Sequence, residues 1–207
     1  MLTFPKTTEV NRRIPKQKIY DAAQMNAASK RKFSEQVSEL TWLASLSAAT
    51  LNVSDDGGAD EIEIIEIELA CFNIDDAVLR QIAKAIPYKL LFVLKHDNKG
   101  MLAVLHRKNG GDAPRIIRSD WREYDELAIS ISGLTVGAIW RNIIMSIDGS
   151  NWKPELTIEE NLERQEQRAK LKKEIERLEK LARAESQPRK KFELVEMIRK
   201  LKEEFCG

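Results

Sequence analysis

The hydrophobic patterns of the 207-residue chain predict an α/β (or α+β) fold, a small mixed sheet flanked by helices and followed by a C-terminal antiparallel helical hairpin of the coiled-coil kind. Three observations carry this. Short alternating or unbroken apolar runs mark strands in the first three quarters of the chain, and amphipathic stretches among them mark helices. At Pro154 the composition turns to charged residues with an apolar position every three or four, which marks the hairpin. The expected division is an α/β core domain with a basic arm over residues 1–153 and an interaction segment over 154–207.

Each element follows from its residues. The opening segment, punctuated by Pro5 and Pro15, reads as an extended arm, because proline restricts the residue before it and stops helices. Ser29 reads as the N-cap of a helix carrying Phe33, Val37 and Leu40 at helical spacing. Trp42, Ala44 and Leu46 then alternate as a strand up to a break near Ala48. The run Asp55-Asp56-Gly57-Gly58 is a turn signal, and the returning strand, about residues 61–69, makes an antiparallel pair. In "NIDDAVLRQIAKAIP", Asn73 or Asp75 caps a helix whose stripe is Val78, Leu79, Ile82 and Ile86, ended by Pro87. "YKLLFVLK" and "GMLAVLHR" form a hairpin about Asn98-Lys99-Gly100. "RIIRSDW" and "LAISIS" offer further strands, and Val136, Ile139, Trp140, Ile143 and Ile147 are one helix face. Thr157 and Glu160 are a capping box opening a long helix with the seam Leu171, Ile175, Leu178 and Ala182. After Ser186-Gln187-Pro188, the residues Leu194, Ile198, Leu201 and Phe205 form a matching seam.

The chain is 43% hydrophobic and 32% charged, which excludes disorder along its length. Net charge is only +1, but residues 1–40 hold eight Lys and Arg against four Asp and Glu, whereas residues 41–153 hold twelve against sixteen. A basic start on an acidic body permits DNA contact without requiring it. Arg12, Arg13, Lys16 and Lys18 with Tyr20 have the mixture of cations and aromatic surface that suits nucleic acid or a protein partner; they equally suit a clasp on the acidic body. Cys71, placed in a core strand, and Cys206 make neither a disulfide framework nor a metal knuckle, which fits a reducing, cytoplasmic setting. The N-terminal stretch lacks an apolar signal core, and no run approaches the roughly 20 apolar residues of a membrane span. The expectation is a protein neither secreted nor membrane-embedded.

The glutamates of "ADEIEIIEIELAC" are the most pointed feature. Alternation puts Glu66 and Glu68 on one strand face, with Ile65, Ile67 and Leu69 on the other. Glu61 and Glu63 have the opposite parity unless a bulge at Ile64-Ile65 resets the phase and crowds all four acids together. The layout resembles a metal-dependent nuclease of the Asp…Glu-x-Lys type. That resemblance implies Mg2+ held by Glu66, Glu68 and a turn aspartate (Asp60, or Asp55 or Asp56), with a lysine aiding the attack of water. Glu68 stands where the lysine belongs, and Lys95 is the nearby substitute. The competing reading is an acid-faced edge strand kept from aggregating. His96 and His106 flank one turn on adjacent strands and read as surface strand ends, with a metal pair lacking an evident third ligand as the alternative, and the four tryptophans read as core.

The strings "FPKTTEVNRRIPKQKIY", "TLNV", "IEIIEIEL", "IDDAVLRQIAKAIPYKLLFVL" and "SDW", followed by the terminal hairpin, occur in a recognisable order. By them the chain resembles, over almost its full length, the bacterial family called domain of unknown function 4391 (DUF4391). Its strongest motif is Pro5-Lys6…Val10-Asn11-Arg12…Ile14-Pro15-Lys16. The resemblance implies company with helicases and methyltransferases of restriction-type phage-defence systems, a DNA-linked role by association. The leading expectation is therefore a non-catalytic adaptor or accessory subunit without a cofactor, docking a protein partner or its own copy through the hairpin. The divergent nuclease is the alternative.

Overall fold

The computed structural model describes residues 2–54, 61–106, 115–148, 153, 156–185 and 187–206, the side chains of 165 and 203–206 excepted. The chain divides into two compact units, Met1–Asn151 and Trp152–Gly207.

In the first unit, seven strands form one mixed sheet in the order β1-β2-β3-β4-β5-β6, with β7 also on β5. The strands are β1 (Glu9–Arg13), β2 (Val37–Leu46), β3 (Ile62–Leu69), β4 (Lys89–His96), β5 (Lys99–His106), β6 (Arg115–Arg118) and β7 (Arg122–Glu123). Helices α1 (Lys16–Ala22) and α2 (Ala27–Gln36) lie between β1 and β2, and the short α3 (Ala48–Leu51) follows β2. Helix α4 (Asp76–Ala85) joins β3 to β4, and α5 (Val136–Asp148) follows the sheet. Among the described strands only β3 and β4 pair in parallel, because a strand re-entering beside its predecessor in the same direction needs a crossover, and α4 supplies it.

A mixed sheet flanked by helices is thus what folds. The antiparallel β2–β3 pair and the β4–β5 hairpin are present, the latter turning through Asp97 at φ 51°. One face of β3 (Ile65, Ile67, Leu69) joins Ile19 of α1, Phe33 of α2 and Val78, Leu79 and Ile82 of α4 in a core that continues through Phe92 and Leu94. On the other parity Ile62, Ile64, Leu91, Val93, Leu102 and Val104 are buried too, and α5 packs on β5 and β6. Burial on both faces explains why β4 reads as an unbroken apolar run.

Several sequence expectations are corrected. Asn26, not Ser29, caps α2, its side chain accepting from the Ser29 N–H at 2.8 Å. The helix ends at Gln36, and Val37 and Leu40 belong to β2, where two β-branched or leucyl positions gain more from the sheet core than from another helical turn. Trp42 and Ala44 do not share a face: Trp42 lies opposite Ile65 and Ala44 opposite Ile64, so Leu43 is a bulged extra residue. The possible bulge at Ile64-Ile65 is absent, since β3 keeps continuous register with β4. The arm is largely ordered as β1 and α1, with Asn11 left-handed (φ 47°) where the β1–β2 register shifts. Residues 127–132 join no strand ladder. Cys71 lies beyond β3 and is exposed. His96 and His106 sit at opposite ends of the hairpin, opposite Lys99 and beside Arg115 respectively, roughly 20 Å of strand apart, too far for one metal.

The second unit is a helical pair, α6 (Ile158–Ala184) and α7 (Pro188–Cys206), in contact with each other. The Thr157–Glu160 capping box opens α6, with reciprocal bonds of 3.2 and 2.8 Å, and Pro188 stands at the first position of α7, where no N–H is missed. Ile175, Leu178, Ala182 and Ile198 are buried between the helices, Leu194 and Leu201 pack beside them, and Leu171 is half-buried. Lys202 pairs with Glu179 at 2.8 Å.

Candidate functional site

Continuous pairing with β4 splits the β3 acids between the two faces of the sheet, and each face carries a distinct arrangement. On the first, Glu66 and Glu68 stand side by side. Glu68 lies opposite Lys95 in register, and the Lys95 ammonium is 3.5 Å from its carboxylate. Tyr124, on a single 3-10 turn after β7, donates its hydroxyl to Glu66. Burial, and then the bond to that carboxylate, push the Tyr124 hydroxyl far above its ordinary pKa, so it stays a donor at any physiological pH. Lys95 also lies 5.5 Å from the centre of the Tyr124 ring, so one cation serves a carboxylate and an aromatic face.

This face therefore brings together Glu66, Glu68 and the substitute lysine. Asp55, Asp56 and Asp60 lie outside the described residues. Among the described residues no three His, Cys, Asp or Glu side chains are grouped closely enough to hold a metal ion. Mg2+ is commonly held by one or two carboxylates with water completing its shell, and Glu66 and Glu68 are the pair that this face presents.

The opposite face holds Glu63, 3% exposed. The bulge at Leu43 turns both Trp42 and Ser45 toward it: Trp42 Nε1 donates at 2.6 Å and Ser45 Oγ at 3.2 Å. Burial raises the pKa of Glu63 against the pull of these two donors, and the neighbouring charge of Glu61 adds a little. Glu63 forms part of a cleft of about 260 Å³ between the β1–α1 junction, β2, β3 and the end of α4. Arg12, Arg13 and Lys18 line it with Trp42, Ile86 and Tyr88. The Arg12 guanidinium sits 5.4 Å from the centre of the Trp42 ring, and Arg13 pairs with Glu39 at 3.3 Å.

Of the four cations singled out in the arm, three thus meet at one cleft. Lys16 is used elsewhere, donating to the Val37 carbonyl at 2.5 Å and tying α1 to the start of β2. Lys32 and Gln36 of α2 both donate to Asp75, and these bonds hold its carboxyl below the usual range. Glu63, Trp42, Tyr88 and Tyr124 went unrecognised as site residues. The one available signal was an acid in a buried apolar run, which needs donors from elsewhere in the fold. Trp42 does more than fill core, because its indole N–H donates to that acid at 2.6 Å and, at 3.2 Å, to the Ala44 carbonyl.

No helix among the described residues is long and apolar enough to cross a membrane. No curated protein and no solved structure matches the chain. The family model described as Domain of unknown function (DUF4391) matches residues 2–205, the arm, the sheet and the helical pair together. The chain belongs to the DUF4391 family.

Proposed function

We propose that this protein is a non-catalytic accessory subunit of a DNA-targeting, restriction-type phage-defence complex, and that the α6–α7 pair is its docking element. The observation that carries the reading is the incompleteness of that pair. Among the described residues the cluster buried between the helices is Ile175, Leu178, Ala182 and Ile198, while Leu181, Phe192, Val195 and Met197 remain 45%, 66%, 48% and 52% exposed. Of these, Phe192 and Val195, three residues apart on α7, form an adjoining exposed apolar pair, which costs solubility unless a partner covers it, and two helices bury too little surface to be a stable domain of ordinary strength. The occupant is a helical segment of a protein partner, laid along the outer side of α7. The helicase or methyltransferase implied by the family's company is the natural candidate, and the basic residues of β1 and α1 leave room for direct DNA contact.

The test is co-expression of the full chain with each such enzyme and capture through a tag. Phe192→Glu with Val195→Glu should abolish capture while leaving the sheet unit's thermal transition unchanged. Capture that survives the double variant would refute the docking role. A doubled mass in light scattering, lost in the same variant, would assign the surface to a second copy.

One observation favours the nuclease as a second reading: Glu66, Glu68 and Lys95 share a face. Calorimetric titration with Mg2+ or Mn2+ tests it. Binding heat lost in both Glu66→Ala and Glu68→Ala would support it, and absence of heat in the intact protein would remove it.

A further inference from the structure

We propose that the cleft over Glu63 is a binding site for a guanine nucleotide unit, base inward and phosphate at the rim. The argument is independent of the helical pair and of the Glu66–Glu68 face. It starts from what the cleft offers chemically. At its inner end is a carboxylate whose two oxygens each accept one protein donor, from Trp42 and Ser45. A carboxylate oxygen has two lone pairs, so each keeps capacity for one further donor. A ligand reaching Glu63 must therefore present N–H groups, and two parallel ones fit best.

The walls are largely apolar: Ile14, Pro15, Ile19, Ile65, Ile86 and the Trp42 indole. They favour a planar, weakly polar body over a hydrated sugar or a peptide. Tyr88, 48% exposed, stands at the lining, where an aromatic ring can stack on a planar ligand. At the rim Arg12, Arg13 and Lys18 present a concentration of positive charge on an otherwise acidic unit. Arg13 is partly neutralised by Glu39 and Arg12 lies over the Trp42 ring, so Lys18 and the N–H groups that Arg12 does not turn to the ring are what receive an anion.

A donor edge, a flat body and an anionic end describe a nucleotide. Among the bases, guanine carries adjacent N1–H and N2–H donors that match a carboxylate in two parallel bonds, whereas adenine offers one amino group beside an acceptor that a carboxylate repels. The cleft of about 260 Å³ accommodates a base with part of its ribose, leaving the phosphate outside with the cations. The same chemistry is presented by free GMP and by the terminal nucleotide of a DNA strand ending in dG.

Calorimetric or fluorescence titration of the full chain with GMP, AMP and two six-nucleotide single strands, ending in dG or in dA, tests the assignment. GMP, or the strand ending in dG, should bind at least tenfold more tightly than its adenine counterpart. Glu63→Gln should remove most of that preference, since an amide repels one of the two donors. Lys18→Ala, a change at an exposed position of α1, should weaken both members of a pair by about fivefold without altering their ratio. Binding of the strand but not of GMP, with the same dependence on Glu63 and Lys18, would support the site and assign it to a DNA end. No binding of any probe at millimolar concentration, or binding indifferent to both variants, would overturn the proposal. Because Glu63 is buried, the thermal transition of Glu63→Gln is recorded alongside; should that variant unfold, Lys18→Ala together with the GMP-to-AMP ratio decides the matter.

Discussion

Replacing Trp42 with phenylalanine isolates the interaction that shapes the cleft. The ring is kept, and the indole N–H that donates to Glu63 at 2.6 Å is lost. Glu63 then retains only Ser45, at the longer distance of 3.2 Å, inside a site where it is 3% exposed. A hydrogen bond to a buried charged group contributes about 1.5–3 kcal/mol, and one to a neutral group about 0.5–1.5 kcal/mol. The loss should therefore depend on whether Glu63 is ionised. Its native pKa lies above the unfolded value of 4.5, so in the wild type its contribution is fully present below that value and is lost as pH rises through the native pKa. Removing a donor that favours the ionised form raises the native pKa further and deepens that loss. Trp42→Phe should consequently cost about 1 kcal/mol more at pH 8 than at pH 4, where the carboxyl is mostly neutral in both folded and unfolded chains. Urea unfolding followed by tryptophan fluorescence resolves this as a midpoint shift of about 0.5 M between the two pH values. In a Glu63→Gln background the pH dependence of the cost should vanish. An equal loss at both pH values, or a difference that persists without the carboxylate, would refute the reasoning.

Two further outcomes test the frame around the site. Thr157→Ala removes the side chain that accepts from Glu160 N–H and should cost the α6–α7 pair about 1 kcal/mol, seen as faster amide hydrogen exchange in the first turn of α6 with the sheet unit unaffected. Gly133→Ala should destabilise the sheet unit by about 1–3 kcal/mol, a fall of several degrees in its thermal midpoint: φ is +152° there, and an added Cβ would lie 2.9 Å from the Ile139 backbone nitrogen at the start of α5.

The elements legible in the sequence are those whose signals are local. Helix α4 announces itself by Val78, Leu79 and Ile82 between an acidic first turn and Pro87, α6 by its capping box, and the β4–β5 hairpin by two apolar runs about a short polar turn. The α6–α7 contact surface was legible for the same reason, because the spacing of Ile175, Leu178, Leu194 and Ile198 is a property of each helix alone. The boundary between α2 and β2 was not. Val37 and Leu40 satisfy helical periodicity equally well, and only the sheet core, with β1 and β3 available on either side, draws them into a strand.

By itself the sequence determined that a helix-flanked sheet would form, that a charged helical pair would follow, and that acids would be concentrated on one strand, since periodicity, capping and composition act over a turn or two of chain. Which acid is buried, and what it faces, only the tertiary structure decided. Glu63, Glu66 and Glu68 are alike in sequence, yet one unpaired residue at Leu43 on the neighbouring strand turns Trp42 and Ser45 toward Glu63, while Lys95 and Tyr124 reach the other two. Strand register is settled by pairing energy summed over the whole sheet, so the partners of each carboxylate are a property of the assembled sheet rather than of the residues beside it in the chain.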